Sequence, residues 1–283
     1  MDDFKPIQIN LNEVLRTRLP KHSRYIPKWA VRWLERTIHQ DELNQILVNM
    51  GQKTGVDAAD SALHDLQVQT TLLGTENIPD SGRFIFVSNH PLGGLDGMAL
   101  MSAIGHRYNG NIRFIVNDLL LAVEPLKPIL LPVNMHGRQH RQVASLIEQE
   151  YQGDNQMITF PAGLCSRMGK KGVIHDLDWK KFIITQAVKS KRDIIPVFFD
   201  AQNSKFFYRM AKWRKRLGIK FNYEMIYLPG EMFKCKGANF NVHFGKPIGW
   251  ESLDAAHPAQ EAQRICDIAY NLKNVGTSLN SKA

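Results

Sequence analysis

The 283-residue chain is 43% hydrophobic and 22% charged, which provides enough apolar side chains to bury a full core. Its net charge of +9 favours an anionic partner, and charge alone leaves nucleic acid and an anionic membrane surface both open. The three cysteines are widely spaced, so neither a disulfide framework nor a CxxC metal site is indicated, and we expect a reducing compartment.

Segments that would cross a membrane are missing from the sequence. No stretch of roughly 18 consecutive apolar residues occurs, which excludes an ordinary membrane-spanning helix. The first residues lack a basic segment followed by an apolar one, so no signal peptide is expected. Any contact with a membrane is therefore predicted to be peripheral, at its cytoplasmic face.

Residues 1–80 are predicted to form a mostly helical extension, ahead of an α/β domain over 81–275 and a loose tail over 276–283. The clearest helices of the extension cover residues 11–19, 27–38 and 41–50. In the second of them, Trp29 and Trp33 stand one turn apart beside a stripe of arginines, which is typical of a helix at a bilayer interface. The alternative is that the two indoles pack on the domain.

An apolar strand is predicted over Phe84–Ser88, and it runs into a loop that contains a histidine, a proline, a glycine pair and an aspartate. His90 is well suited to take a proton near neutral pH, and Asp96 can fix its tautomer and stabilise the imidazolium. Gly93 and Gly94 permit either positive φ or close approach of a substrate to backbone N–H groups. The loop therefore combines a candidate base with a candidate orienting acid.

The elements after this loop alternate between helix and strand. A helix over 96–104 and a buried strand over 112–116 complete a strand–helix–strand unit, the start of a parallel sheet. Further helices are predicted over 139–152, 178–190, 205–220 and from 257 onward, and further strands over 157–160, 193–199 and 239–244. The pattern indicates an α/β fold, with a mostly parallel central sheet flanked by helices. Asp178 is a candidate N-cap, and Pro196 indicates an edge strand or an irregular strand lining a cleft.

Four segments together resemble the glycerolipid, or lysophospholipid, acyltransferase family, of the 1-acylglycerol-3-phosphate acyltransferase type. The loop with His90 and Asp96 is similar to the first motif of the family. The apolar run Ile129–Asn134 resembles the second motif, and Phe160–Arg167 resembles the third, Phe-Pro-Glu-Gly-Thr-Arg-Ser. The strand over 193–199 resembles the fourth, and the likeness extends from Ser81 to near the C-terminus.

This resemblance implies an O-acyltransferase that moves an acyl group from acyl-CoA or acyl-carrier protein to the hydroxyl of a lysolipid. His90 would be the general base, with Asp96 beside it. The resemblance requires no metal, no bound cofactor and no covalent acyl-enzyme. The residues implied in substrate binding are Asn89, Gly93, Gly94, Arg138, Pro161, Gly163, Ser166 and Arg167.

The sequence departs from the family pattern on the acceptor side. Asp96 follows His90 with one residue more than the usual spacing, and Ala162 replaces the glutamate of the third motif. Asn134 stands where the second motif carries a charge, and Arg138, four positions later, either supplies that cation or is simply exposed. We therefore expect an anionic head group that need not be a phosphate. Lysophosphatidate is placed slightly ahead of a lyso-aminolipid, an N-acylated amino acid bearing a hydroxy fatty acid.

Two further features have alternative interpretations. Cys165 lies in a glycine-containing loop and could be a nucleophile, but no base is assigned to it and a small apolar filler is preferred.

The segment Lys205–Lys220 holds seven basic residues and no acid, with aromatic residues at helical spacing. We expect it to face an anionic bilayer on the same side as Trp29 and Trp33. No nucleic-acid motif accompanies it, so nucleic acid is disfavoured as a partner. The rival hypothesis is a non-enzymatic peripheral membrane or nucleic-acid binding protein.

Overall fold

The computed structural model describes residues 8–18, 20, 23–117, 120–121, 123–133 and 140–279. The helices are α1 Leu11–Arg18, α2 Lys28–Thr37, α3 Gln40–Met50, α4 Gly55–Asp65, α5 Leu95–Arg107, α6 His140–Gln152, α7 Phe182–Ser190, α8 Lys205–Arg216, α9 Leu228–Lys234 and α10 Pro258–Leu279. The strands are β1 Gln69–Leu73, β2 Phe84–Ser88, β3 Ile112–Asn117, β4 Leu130–Val133, β5 Gln156–Thr159, β6 Arg167–Met168, β7 Ile174–His175, β8 Asp193–Asp200 and β9 Asn239–Phe244.

The described residues form a seven-stranded sheet in the order β1-β9-β8-β2-β5-β3-β4. Every neighbouring pair is parallel except β8 and β9, which are antiparallel. β2 and β3 are parallel, as the strand–helix–strand pattern predicts, but β5 lies between them. The predicted α/β class, a mostly parallel sheet flanked by helices, is confirmed.

Alternate side chains of β2 pack into separate cores on the two faces of the sheet. Phe84 and Phe86 pack with α4 and α5 on one face. Ile85 and Val87 pack with α6, α7 and α10 on the other. Since all four side chains are buried, the strand reads as a continuous apolar run, which is typical of a parallel strand covered on both faces.

The N-terminal region contributes more than helices to the fold. Residues 69–73, inside the segment predicted to be a helical extension, form the edge strand β1, which pairs with β9. α4 is buried and packs in the same core as α5. α2, in contrast, has no buried residue, and Trp29 and Trp33 are 72% and 52% exposed. The alternative, that these indoles pack on the domain, is therefore not supported. The predicted domain boundaries stay predictions.

Two local predictions need correction. Of the two positions predicted for the strand with Pro196, the edge of the sheet is wrong, because β8 lies inside the sheet. Ile194 exchanges hydrogen bonds with Ile248, and the carbonyl of Pro196 accepts from Gly245, so the proline nitrogen faces the place where β9 has ended. The helix predicted to begin at Asp178 begins instead at Phe182, with no side-chain cap.

Candidate active site

The candidate site lies at the carboxyl ends of β2 and β5, which are neighbours in the sheet. β2 ends at Ser88 and is followed by His90, and β5 ends at Thr159 and is followed by Phe160. The main chains of the two loops are joined by a hydrogen bond of 2.8 Å from Ser166 N–H to the His90 carbonyl. This edge is where parallel α/β sheets commonly bind ligands.

His90 and Asp96 form a direct pair in spite of the extra residue between them. His90 Nδ1 is 3.0 Å from Asp96 Oδ2. The same carboxylate accepts from the backbone N–H of Leu92 at 2.9 Å and of Gly97 at 2.9 Å, and it is fully buried in the first turn of α5. Backbone donors therefore hold the carboxylate in place, and the carboxylate in turn fixes the imidazole.

The surroundings of His90 favour its protonated form. Burial of the ring lowers its pKa, but the Asp96 carboxylate and the Cys165 sulfur more than offset this, so the pKa of His90 lies well above its ordinary value. The ring stacks on Phe160 with their centroids 3.9 Å apart, and its side chain is only 13% exposed. His90 is thus a mostly enclosed loop residue with one open edge.

The two glycines of the loop have different roles in the structure. Gly93 adopts a φ of +90°, and a Cβ atom there would lie 2.8 Å from Leu228 and 3.1 Å from the Cys165 sulfur. Its N–H is 3.4 Å from Asp96 Oδ2, a weak contact. Gly94 precedes α5, and a Cβ there would meet open space. The close approach of side chains therefore requires a glycine at 93, while the surface beside 94 is open.

A buried aspartate that sequence reasoning missed ties the two loops together. Asp176 accepts hydrogen bonds from the His90 N–H at 3.2 Å, the Ser166 hydroxyl at 2.6 Å and the Trp179 indole at 3.0 Å. Burial raises the pKa of the Asp176 carboxyl, and the hydrogen bonds from Ser166 and Trp179 oppose this. Ser166, predicted to bind substrate, is buried with its hydroxyl directed to this carboxylate.

Three other residues predicted to bind substrate lie near this loop with differing exposure. Asn89 is buried, and its side-chain amide exchanges hydrogen bonds with the backbone of Phe199 in β8. Pro161 is buried, and its carbonyl accepts from Lys180 N–H. Gly163 is exposed at a φ of +70°, with the Lys180 ammonium 2.7 Å from where a Cβ would stand. Only Gly163 of the three presents an exposed surface.

Cys165 lies closer to the candidate base than the sequence suggested. Its side chain is fully buried, in a small cluster with Phe207 and Tyr208 of α8. Its sulfur is near enough to raise the pKa of the His90 imidazole, so a histidine lies near this cysteine although the sequence assigned it no base. The side chain fills space between the loop and α8.

Arg167 is one of three side chains in a buried ion cluster rather than a free cation. Its Nη2 is 3.0 Å from Glu224 Oε1, and the other oxygen of this carboxylate is 2.8 Å from Arg214 Nε. Arg167 also donates to the Cys165 carbonyl at 2.8 Å, and its guanidinium lies 5.5 Å from the centre of the Phe207 ring. Glu224 was missed by sequence reasoning, although it is the single acid between Asp200 and Glu231.

The remaining predictions concern motif residues, metal binding and membrane-spanning helices. Arg138 and Asn134 lie outside the described residues. Ala162, which replaces the family's glutamate, is buried in the core on the α7 and α10 face. Among the described residues, no cluster of three or more histidine, cysteine, aspartate or glutamate side chains is placed to hold a metal ion. None of the helices in the described part of the chain combines the length and apolar character needed to cross a membrane.

A buried His–Asp pair in a loop after a parallel strand, under an arginine-bearing second loop, is the arrangement expected of an acyltransferase. The family model described as "Acyltransferase" matches residues 13–278, and the chain belongs to this family. The protein is accordingly an enzyme, an acyltransferase.

Two proteins and one crystal structure are similar to this chain over most of its length. The chain is 45% identical over 273 residues to a lyso-glycine lipid O-acyltransferase from Bacteroides thetaiotaomicron, covering 96% of this chain and 100% of the relative. It is 43% identical to a protein of the same name from Phocaeicola vulgatus, covering 96% of this chain and 98% of that one. The crystal structure of the 1-acyl-sn-glycerophosphate acyltransferase PlsC from Thermotoga maritima matches with a TM-score of 0.50 and 15% identity, over 94% of this chain and 95% of that chain. This last likeness concerns the fold.

Proposed function

We propose that the protein transfers a fatty acyl group from an acyl thioester to the free hydroxyl of a lyso-glycine lipid. The observation that carries this proposal is the buried Asp96 carboxylate, held by backbone N–H groups 3.0 Å from His90 Nδ1. The names of the two relatives above 40% identity favour a lyso-glycine lipid over the lysophosphatidate that the sequence placed slightly ahead.

His90 acts as the general base in this mechanism. Asp96 occupies Nδ1, so Nε2 takes the proton from the acceptor hydroxyl while its oxygen attacks the thioester carbonyl. As the tetrahedral intermediate collapses, the C–S bond breaks, and the imidazolium returns the proton to the leaving thiol. The acceptor becomes an ester and the donor becomes free CoA or the free carrier-protein thiol.

The oxyanion of the intermediate needs hydrogen-bond donors near the carbonyl carbon. Gly93 and Gly94 are our candidates, because the Gly93 N–H makes only a long contact to Asp96 and Gly94 borders open space at the start of α5. The amino-terminal end of a helix also carries partial positive charge, which stabilises a developing anion. Cys165 takes no covalent part in this mechanism.

The acceptor head group is bound on the Arg167 side of the site. A glycine head group ends in a carboxylate, which the positive charge of a guanidinium attracts. Arg167 is 14% exposed and is linked through the Cys165 carbonyl to the loop beside His90. The buried Ala162 adds no charge to this side, which is compatible with a head group other than phosphate.

The protein reaches its lipid substrates at an anionic membrane surface. α8 and the residues after it expose six of the seven basic residues of the segment 205–220, whereas Arg214 turns inward to Glu224. The exposed six are Lys205, Arg209, Lys212, Lys215, Arg216 and Lys220. Trp213, Leu217 and Phe221 are exposed beside them. Such a mixture of cations and large apolar side chains suits a bilayer interface.

Contacts through α9 support a common side for α8 and the N-terminal helices. His39, between α2 and α3, lies with its ring 5.1 Å from that of Phe233 in α9. Glu231 of α9 accepts hydrogen bonds from the backbone and hydroxyl of Ser204, the N-cap of α8. α9 thus bridges the helix that carries the exposed Trp29 and Trp33 to the basic helix.

The experiment that tests the proposed function is a lipid product analysis with purified protein. Lyso-glycine lipid is mixed with acyl-CoA or with acyl-carrier protein, and the lipids are compared by mass spectrometry with and without the protein. We expect a product heavier than the acceptor by one acyl group, together with release of the donor thiol. If neither donor gives this product while another lysolipid is acylated, the proposed acceptor is wrong.

A further inference from the structure

Two arginines share a single buried carboxylate beside the candidate site. Glu224 is fully buried, and its two oxygens are 3.0 Å from Arg167 Nη2 and 2.8 Å from Arg214 Nε. Arg167 and Arg214 are only 14% and 17% exposed. Two cations and one anion leave one net positive charge in a place where water screens it weakly.

Among the described residues, no second carboxylate forms an ion pair with either arginine. In the described part of the chain, the other oxygen partners of the two guanidinium groups are backbone carbonyls, those of Cys165 and Ser166 for Arg167 and that of Ile219 for Arg214. The next acid after Glu224, Glu231, binds Ser204 and Lys234 instead. Asp176, the acid nearest to Arg167 along the chain, accepts from Ser166 and Trp179. A partly buried cation without a counter-ion is costly, so an added anion is favoured here.

The cluster is connected to the base through one short piece of chain. Arg167 Nη1 donates to the Cys165 carbonyl at 2.8 Å. The next N–H, that of Ser166, donates to the His90 carbonyl. A head group held at Arg167 would therefore belong to an acceptor whose hydroxyl is close to His90.

Resting on the function proposed above, we propose that Glu224 sets the charge of the acceptor that the site accepts. Because Glu224 neutralises one of the two arginines, the cluster keeps one positive charge, which the single carboxylate of a glycine head group would cancel. A phosphate monoester carries roughly −1.5 to −2 at pH 7, so it would leave the pocket with excess negative charge next to the Glu224 carboxylate. Glu224 thus acts through Arg167 as a positioning residue that disfavours phosphate head groups, a repulsive contribution to specificity.

The test compares acceptor selectivity in variants of the full-length enzyme. The ratio of kcat/KM for lyso-glycine lipid to kcat/KM for lysophosphatidate is measured for the wild type and for Glu224→Gln, which raises the cluster charge from one to two. We expect the ratio to fall by about tenfold or more, because removing a like charge relieves the repulsion of the phosphate. Glu231→Gln is the matched control, because it neutralises a second buried glutamate, one that binds a serine and a lysine instead of the two arginines. Its selectivity ratio should stay at the wild-type value.

A double variant separates charge from structure. Glu224→Gln combined with Arg214→Gln returns the net charge to one, so its selectivity ratio should move back toward the wild type even if its absolute rates fall. A purely structural role for Glu224 predicts instead that the double variant departs further. Thermal unfolding is recorded for each protein. If Glu224→Gln alone does not fold, the double variant provides the test. A selectivity ratio equal to that of the wild type supports the proposal, and loss of the preference for lyso-glycine lipid contradicts it.

The outcomes distinguish this proposal from the function on which it rests. An unchanged ratio in folded Glu224→Gln, in an enzyme that prefers lyso-glycine lipid, overturns the role of Glu224 alone. A wild-type enzyme that does not acylate lyso-glycine lipid overturns the proposed function itself.

Discussion

The two sides of the candidate site are assembled in different ways. His90 and Asp96 are six positions apart in one loop, and their contact of 3.0 Å needs only that loop and the first turn of α5. Arg167 and Glu224 are 57 positions apart, and Arg214 joins them from α8. The acid–base side thus depends on one short stretch of sequence. The charge of the acceptor side depends instead on how three separate segments pack together, namely β6, α8 and residues 223–227. We therefore expect mutations in the His90 loop to lower the rate of acyl transfer, and mutations in the arginine–glutamate cluster to change which acceptor is preferred.

Removal of the base should give the largest effect. In His90→Ala we expect acyl transfer to fall roughly 10²- to 10⁴-fold, because general-base assistance is lost. The variant also loses the stacking on Phe160, so its thermal unfolding must be measured beside its rate. His257→Ala is the control, since it removes another histidine whose Nδ1 contacts a carboxylate, that of Asp254, at 2.9 Å. Folded His90→Ala with more than half of the wild-type activity would refute the mechanism.

Neutralising Asp96 should have a smaller effect with a characteristic pH signature. His90 must be neutral to accept a proton, and its raised pKa puts the acid limb of the wild-type kcat/KM profile above pH 6.5. Asp96→Asn removes the interactions that raise this pKa, so the limb should move to lower pH. We also expect a loss of activity at the optimum that is smaller than that of His90→Ala, because the imidazole that takes the proton is still present. A limb that stays in place would show that Asp96 does not act on His90.

Cys165 provides a weaker test of the same side. Cys165→Ala should retain activity within about tenfold, because the thiol affects only the surroundings of the general base and forms no acyl-enzyme. Its sulfur contributes to the raised pKa of His90, so the acid limb should shift slightly downward. Intact-protein mass spectrometry during turnover should show no added acyl group on the wild type. A rate loss as large as that of His90→Ala, with an acylated wild-type protein, would indicate a nucleophile instead.

The smallest expected effect on turnover comes from the exposed face of α8, whose basic side chains point away from the inward-facing Arg214. Replacing Lys212, Lys215 and Arg216 with glutamine should weaken binding to anionic liposomes by about 1 kcal/mol for each charge and leave kcat on dispersed substrate unchanged. Added salt should weaken wild-type binding in the same direction. Equal co-sedimentation with neutral and anionic liposomes would contradict the electrostatic part of the proposal.

The sequence predicted what is local in the chain. The strand before His90, the loop and the following helix are visible because the apolar run, the turn residues and the acid all lie within a few positions. The position of Pro196 inside the sheet was missed, because a proline in a strand is tolerated only when its nitrogen faces a gap, and that gap depends on where β9 ends. Glu224 and Asp176 were missed for a related reason, since each has one partner in a distant segment, Arg167 for Glu224 and His90 for Asp176.

A search for counter-charges would have improved the prediction. Glu224 is the only acid between Asp200 and Glu231, in a segment otherwise rich in lysine and arginine. A lone acid in a basic, aromatic helix region is a candidate for a buried ion pair, because an exposed one would only be solvated. No spacing in the sequence, however, indicates which of the neighbouring arginines turns inward.

The most direct test of the account is a competition between two acceptors in one reaction. Purified wild-type enzyme is supplied with one acyl thioester and equal amounts of lyso-glycine lipid and lysophosphatidate, and the ratio of the two products gives the ratio of their kcat/KM values. We predict that the lyso-glycine lipid is acylated in clear preference, because a singly charged carboxylate matches the net charge of the Arg167, Glu224 and Arg214 cluster. A clear preference for lysophosphatidate would contradict the proposed acceptor and the charge selectivity derived from it.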